Sequence, residues 1–160
     1  MKWLKKIELV FTRLLEYILR LLFLCFLTIV IVLVFLRYGF NTTIVGGNEL
    51  IVILFIYTSA IGAAVIIGRK EHIAITYFVQ KMSPQINRLV NILNFLLVAI
   101  LNGALIKYSF PWISKTGSYS TATLGIPQLY LQIIVPISCS IAIFYCLVQI
   151  FLLLNPAKTH

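Results

Sequence analysis

Arg69-Lys70-Glu71-His72 gathers two cations, a carboxylate and an imidazole into four consecutive positions of a chain that is only 11% charged. Side chains of these types can move protons or hold an anion, so the first question is whether they form a reactive centre. Such a centre needs company, and little exists. His160 is the only other histidine and stands last in the sequence, so neither paired haem ligation nor a clustered zinc site is expected. There is no aspartate, and the acids are Glu8, Glu16, Glu49 and Glu71. A Ser/His/Asp triad therefore lacks its acid, and the adjacency of Glu71 to His72 in sequence is not a catalytic arrangement. Gly62 and Gly68 enclose five residues and Arg69 follows, which breaks the GxxxxGK[ST] pattern of a phosphate loop. Cys25, Cys139 and Cys146 sit in apolar runs without CxxC spacing, where thiols act as small hydrophobes. The expectation is a protein that is not an enzyme and needs no cofactor or metal, with His72 as an interfacial hydrogen-bonding residue.

The elements that must position these side chains follow from composition. Of 160 residues 61% are hydrophobic, and the mean hydropathy is +1.04, a balance that would leave a water-soluble domain covered in apolar surface. Charge-free windows at 21–36, 50–68, 89–106 and within 116–157 each approach the ~20 residues that cross a hydrocarbon core of roughly 30 Å. The expected fold is all-α and a single membrane domain, with four spans near 14–37, 49–68, 84–107 and 127–154. The first apolar run is too long for a signal peptide and lacks a small-residue cleavage site.

The net charge of +9 is distributed unevenly. Lys2, Lys5, Lys6, Arg13 and Arg20 precede the first span, Arg69, Lys70, Lys81 and Arg88 separate the second from the third, and Lys158 follows the fourth. The other two connections hold Arg37, Lys107 and Lys115. By the positive-inside rule both termini and the middle loop are cytoplasmic. These cations mark membrane boundaries and form no continuous stripe with interleaved aromatics, so nucleic acid is not an expected partner, whereas membrane lipid is.

Between Met1 and Arg20, Trp3, Ile7, Val10, Leu14 and Ile18 recur at helical spacing while Lys5, Glu8, Thr12, Glu16 and Arg20 share the other side. Two readings of segment 1–13 stay open: an amphipathic helix lying on the inner leaflet, or a straight extension of the first span. Segment 69–83 reads as a cytoplasmic amphipathic connection, with Ile75, Phe78, Val79 and Met82 on one face. At the outer side, Gly46 and Gly47 permit a tight turn, Asn48 suits an N-cap, and Glu49 falls in the first helical turn.

Within the spans, Ser59, Ala60, Gly62, Ala63 and Ala64 make a small-residue surface that lets helices approach closely, inside the chain or against another. Asn87, Asn91, Asn94 and Asn102 cluster on one face of the third span. Amides facing lipid are costly, so that face should meet protein or water, with interhelical hydrogen bonding favoured over a substrate path. Ser83 and Pro84 suit the start of that helix, and Pro136 should kink the fourth. All four glutamates lie at or outside span boundaries. A proton-coupled carrier needs a carboxylate at bilayer depth, while sodium can be held by carbonyls and hydroxyls, so an autonomous small carrier acting as a homo-oligomer stays open as a rival reading.

The order Asn48-Glu49-Leu50, Phe55-Ile56-Tyr57, Gly62-Ala63-Ala64, Arg69-Lys70-Glu71-His72-Ile73, followed by Thr123-Leu124-Gly125-Ile126-Pro127 and Pro136, resembles the small, DctQ-type membrane subunit of tripartite ATP-independent periplasmic (TRAP) transporters. The family commonly has an acid where this chain has Asn48 and an aspartate where it has Thr76. The resemblance implies a bacterial inner-membrane protein that braces a large transport subunit (M-type). It also implies help in docking a periplasmic substrate-binding protein during sodium-coupled uptake of an organic-acid anion. Dicarboxylates, keto acids and sialic acid all stay open as solute, with the Arg-Lys-Glu-His-Ile variant leaning towards sialic acid. The expected contact residues are Arg37 and Glu49 at the outer edge, meeting either each other or partner chains, Arg69 and His72 as anchors at the inner edge, and Ser59, Gly62, Ala63, Asn91, Asn94 and Asn102 as partner contacts between them.

Overall fold

The computed structural model describes residues 2–69 and 84–154. Among them the elements are α1 (Lys2–Gly39), α2 (Gly47–Arg69), α3 (Pro84–Thr116), α4 (Leu129–Gln132) and α5 (Ile134–Leu154). Four stretches are long and apolar enough to cross a membrane, Glu8–Gly39, Gly47–Arg69, Gln85–Thr116 and Leu129–Leu154. The all-α, four-span expectation is met. His72, Ser83 and the connection 70–83 lie outside the described residues.

Nothing between Lys2 and Tyr38 interrupts a helix, since that stretch contains no proline or glycine. Accordingly α1 is one unbroken helix of 38 residues, about 57 Å long and well beyond the ~30 Å of a hydrocarbon core. Residues 2–13 continue the first span without a break. Its polar side, however, faces protein: Glu8, Thr12 and Glu16 contact α2 and α5, while Val10, Leu14 and Ile18 are exposed.

Gly46 ends the turn before α2 with φ of +82°, a conformation that disfavours a side chain, and its carbonyl accepts from Leu50 N at 3.1 Å. Asn48, expected as the N-cap, instead lies inside the first turn. Gly47 is buried under Leu33, whose two methyls would stand 2.8 Å from any Cβ there. Helix α3 runs from Pro84, the first described residue there, past 107 to Thr116, with Pro111 inside it. The connection between α3 and α4 therefore shrinks to 117–128, pinned by a bridge between Ser120 and Pro127 and by Gln128 N donating to Tyr119 O at 2.8 Å. Pro136 brings the expected distortion as a break: with no N–H to offer Gln132, it falls just after the interruption at Ile133 that separates α4 from α5.

Helix α2 packs on both α1 and α5, and α5 in turn on α3. This gives a row in the order α1, α2, α5, α3 with α5 and α2 at its centre. The burial pattern agrees, with nine buried residues on α5 but, among the described side chains, only Leu15 and Leu33 on α1 and Phe95 and Ser109 on α3. The core is the seam where Val65, Ala64 and Ile61 of α2 meet Ala142, Tyr145 and Cys146 of α5. Both end helices keep broad apolar faces open.

Candidate functional site

The two ends of the row carry the polar chemistry. At the end with the short connections, the Glu49 carboxylate accepts from the backbone N–H of Thr123 at 2.7 Å and of Leu124 at 2.8 Å. A carboxylate with its two oxygens each taking one N–H is a clamp on the 121–126 turn. The turn is closed from within by Ile126 N donating to the Thr121 hydroxyl at 3.1 Å and by Gly125 at φ +65°. Leu124 then lies over Gly46, where a Cβ would collide with it. Further ties run from the Tyr57 hydroxyl to Tyr130 O at 2.7 Å and from Gln132 Nε2 to the Thr116 hydroxyl at 2.8 Å. Residues 74 and 75 positions apart are thus held as one unit.

Arg37 lies beside this clamp and lines a cleft of about 360 Å³ with Asn41, Thr42, Thr43 and Asn48. It forms no ion pair with Glu49, whose carboxylate is taken by the 121–126 turn; the two ion pairs among the described residues are Arg20–Glu16 and Arg69–Glu16. A second cleft, of about 340 Å³, runs from Asn48 and Glu49 to Thr121 and Gln128. Hydroxyls, amides and one guanidinium suit contact with a polar protein surface, and no metal-binding group of acids, histidines and cysteines exists among the described residues.

At the opposite end, three side-chain pairs fasten α1. Arg69 Nε donates to Glu16 Oε1 at 2.7 Å and its Nη2 stands 2.6 Å from the same oxygen, while Arg20 lies 3.7 Å from the other. The hydroxyls of Tyr145 and Thr12 are 2.8 Å apart. Gln149 Nε2 donates to Glu8 Oε1 at 2.7 Å and reaches Gly68 O at 3.5 Å. Gln149 Oε1 is buried with no hydrogen-bond partner among the described residues. Glu8, Thr12, Glu16, Gly68, Arg69 and Gln149 rim a cleft of about 450 Å³ shared by α1, α2 and α5.

The structure divides the expected contact residues. Arg69 joins the cluster that fastens α1 as an internal anchor, and Glu49 the clamp on the 121–126 turn. On α2, Ala64 is buried and Ala60 packs against the core, whereas Ser59 and Ala63 face outward; Gly62 is half-buried beside Leu19. On α3, Asn91 donates to Asn87 O at 2.9 Å and Asn102 to Val98 O at 2.8 Å. These bonds stay within their own helix rather than bridging two. Asn94 is exposed.

Sequence reasoning set Thr12 with Glu8 and Glu16 on one side of the first helix but did not single out Tyr145 and Gln149 as their partners. A signal was available: Glu8, Thr12 and Glu16 recur every fourth residue on one helix, and Tyr145 and Gln149 are four apart on another. That spacing puts each set on one face.

The family model described as Tripartite ATP-independent periplasmic transporters, DctQ component, matches residues 26–155. Over 120 residues the chain is 28% identical to the sialic acid TRAP transporter small permease protein SiaQ of Vibrio cholerae serotype O1. That match covers 74% of this chain and 69% of that protein.

Proposed function

The chain belongs to the DctQ component family of tripartite ATP-independent periplasmic transporters, and from that premise we propose that it braces a large membrane transport subunit and helps to dock a periplasmic substrate-binding protein. It is a small permease subunit and not an enzyme. In this reading the large subunit carries both solute and sodium, and this chain carries neither.

One observation supports that division of labour above the rest. Glu8, Glu16 and Glu49, the described carboxylates, lie at the two ends of the row, and each contacts another part of the same chain. They hold helices together, whereas a proton-coupled carrier would need an acid at bilayer depth free to take up and release a proton. Open apolar faces on α1 and α3 suit a brace embedded between lipid and a larger protein.

The excess of cations at the Arg69 end puts that end, and both termini, in the cytoplasm by the positive-inside rule. The clamp made by Glu49 and the 121–126 turn then faces the periplasm, beside Arg37, where a binding protein docks. The solute is an organic-acid anion, and the name of the Vibrio relative favours sialic acid.

Affinity purification of this chain from cells expressing the complete system tests the reading. The expected result is a stoichiometric complex with the large membrane subunit, to which the binding protein adds when solute is present. Recovery of the chain as a homo-oligomer without the large subunit would overturn it.

A further inference from the structure

Which side of this chain meets the large subunit is a question the polar residues of the two end helices answer. On α3, Arg88 and Lys107 bracket 19 steps of helix, which at 1.5 Å each span about 29 Å, close to the hydrocarbon thickness. Asn94 lies six steps inside Arg88, so its amide sits roughly 9 Å into the apolar zone. Unlike Asn91 and Asn102, which bond within their own helix, Asn94 is exposed and its side chain makes no hydrogen bond among the described residues. It stands in a stripe otherwise made of Val90, Leu97, Leu101 and Leu105, all exposed.

The outward face of α1 differs. Its exposed side chains between Arg20 and Arg37 include Leu24, Leu27, Ile31 and Val34 together with Cys25, and Thr28 returns its hydroxyl to Leu24 O at 2.8 Å. Every hydrogen-bonding group there is satisfied or weakly polar, so lipid can cover it without loss. A free amide against lipid tails leaves two donors and an acceptor unpaired, which is costly.

We propose that the α3 stripe centred on Asn94 is the face that seats on the large membrane subunit, whose facing helix offers a hydrogen-bonding group at that depth, and that the outward face of α1 meets lipid. The inference rests on the bracing role proposed above and adds its side. The amide supplies the polar contact in an otherwise apolar seam, as interhelical amides do in membranes.

The test uses the whole complex expressed together, with a photoreactive phenylalanine analogue at Leu97 or Leu101 on α3 and at Ile31 on α1. Cross-links to the large subunit are expected from the α3 positions and not from Ile31. Asn94→Leu is expected to weaken recovery of the large subunit about three- to thirtyfold, the range for one interhelical hydrogen bond in a membrane, while Asn94→Gln retains most of it. Cross-links from Ile31 alone would overturn the choice of face and leave the bracing role standing. Cross-links from α3 only to lipid or to a second copy of the chain would also overturn it. Failure of every position to reach the large subunit in a complex that does not co-purify would remove the bracing role itself.

Discussion

Replacing Gly68 by alanine probes the junction where three helices meet. A Cβ built at Gly68 stands 2.7 Å from Tyr145 Cε1, 2.8 Å from Cδ1 and 2.9 Å from Cζ. Such separations are far inside contact distance, so the ring must shift. It has little room: Tyr145 is 0% exposed, its ring lies 6.1 Å from that of Phe11 and 5.9 Å from that of Phe144, and its hydroxyl is held by Thr12. Overpacking of a filled core costs about 1–3 kcal/mol, and losing the Thr12 contact adds about 1 kcal/mol. Against this, alanine gains up to ~1 kcal/mol over glycine in a helix interior, less at the second-last residue of α2. The net expectation is a loss of about 1–3 kcal/mol, seen as a fall in the melting temperature of the purified protein by several degrees. Shortening the ring should relieve the clash, so Gly68→Ala combined with Tyr145→Leu should cost less than the two single changes summed, with a coupling of about 1 kcal/mol or more. A Gly68→Ala protein as stable as the parent, or single effects that simply add, would refute the packing argument.

The remaining predictions concern the two polar clusters. Glu49→Ala removes both acceptors of the 121–126 turn, so amide hydrogen exchange at Thr123 and Leu124 should accelerate while exchange in the core of α5 does not change. Gly46→Ala forces a side chain into a left-handed conformation against Leu124, and should lower stability by about 1–3 kcal/mol in a thermal melt. The Arg69 side chain is 45% exposed, so its pair with Glu16 should contribute about 1 kcal/mol or less, read as the coupling between Arg69→Ala and Glu16→Ala.

Much of this arrangement is legible in the residues themselves. Apolar runs of the right length mark four spans, Pro136 marks the break before α5, and Glu49 stands where the second helix begins. Its true contact is harder to read, because Thr123 and Leu124 offer only backbone N–H groups and no residue type announces them. The face of α1 misleads for another reason. Periodicity shows that Glu8, Thr12 and Glu16 share a side, but it does not say which side meets protein. In water a polar stripe faces out, whereas beside lipid it turns towards other helices. Gly46 rather than Asn48 caps α2 because the turn needs a positive φ and Leu124 needs the space a side chain would fill. The amides of α3 illustrate a third limit: Asn91 and Asn102 satisfy themselves on their own helix, an option that spacing along the chain does not reveal.

Uptake of solute into sealed proteoliposomes, driven by an imposed sodium gradient in the presence of the binding protein, tests the central claim that this chain supports transport without performing it. Vesicles holding this chain alone should accumulate nothing above background, and vesicles holding it together with the large subunit should concentrate the anion. Accumulation by the chain alone would contradict the account.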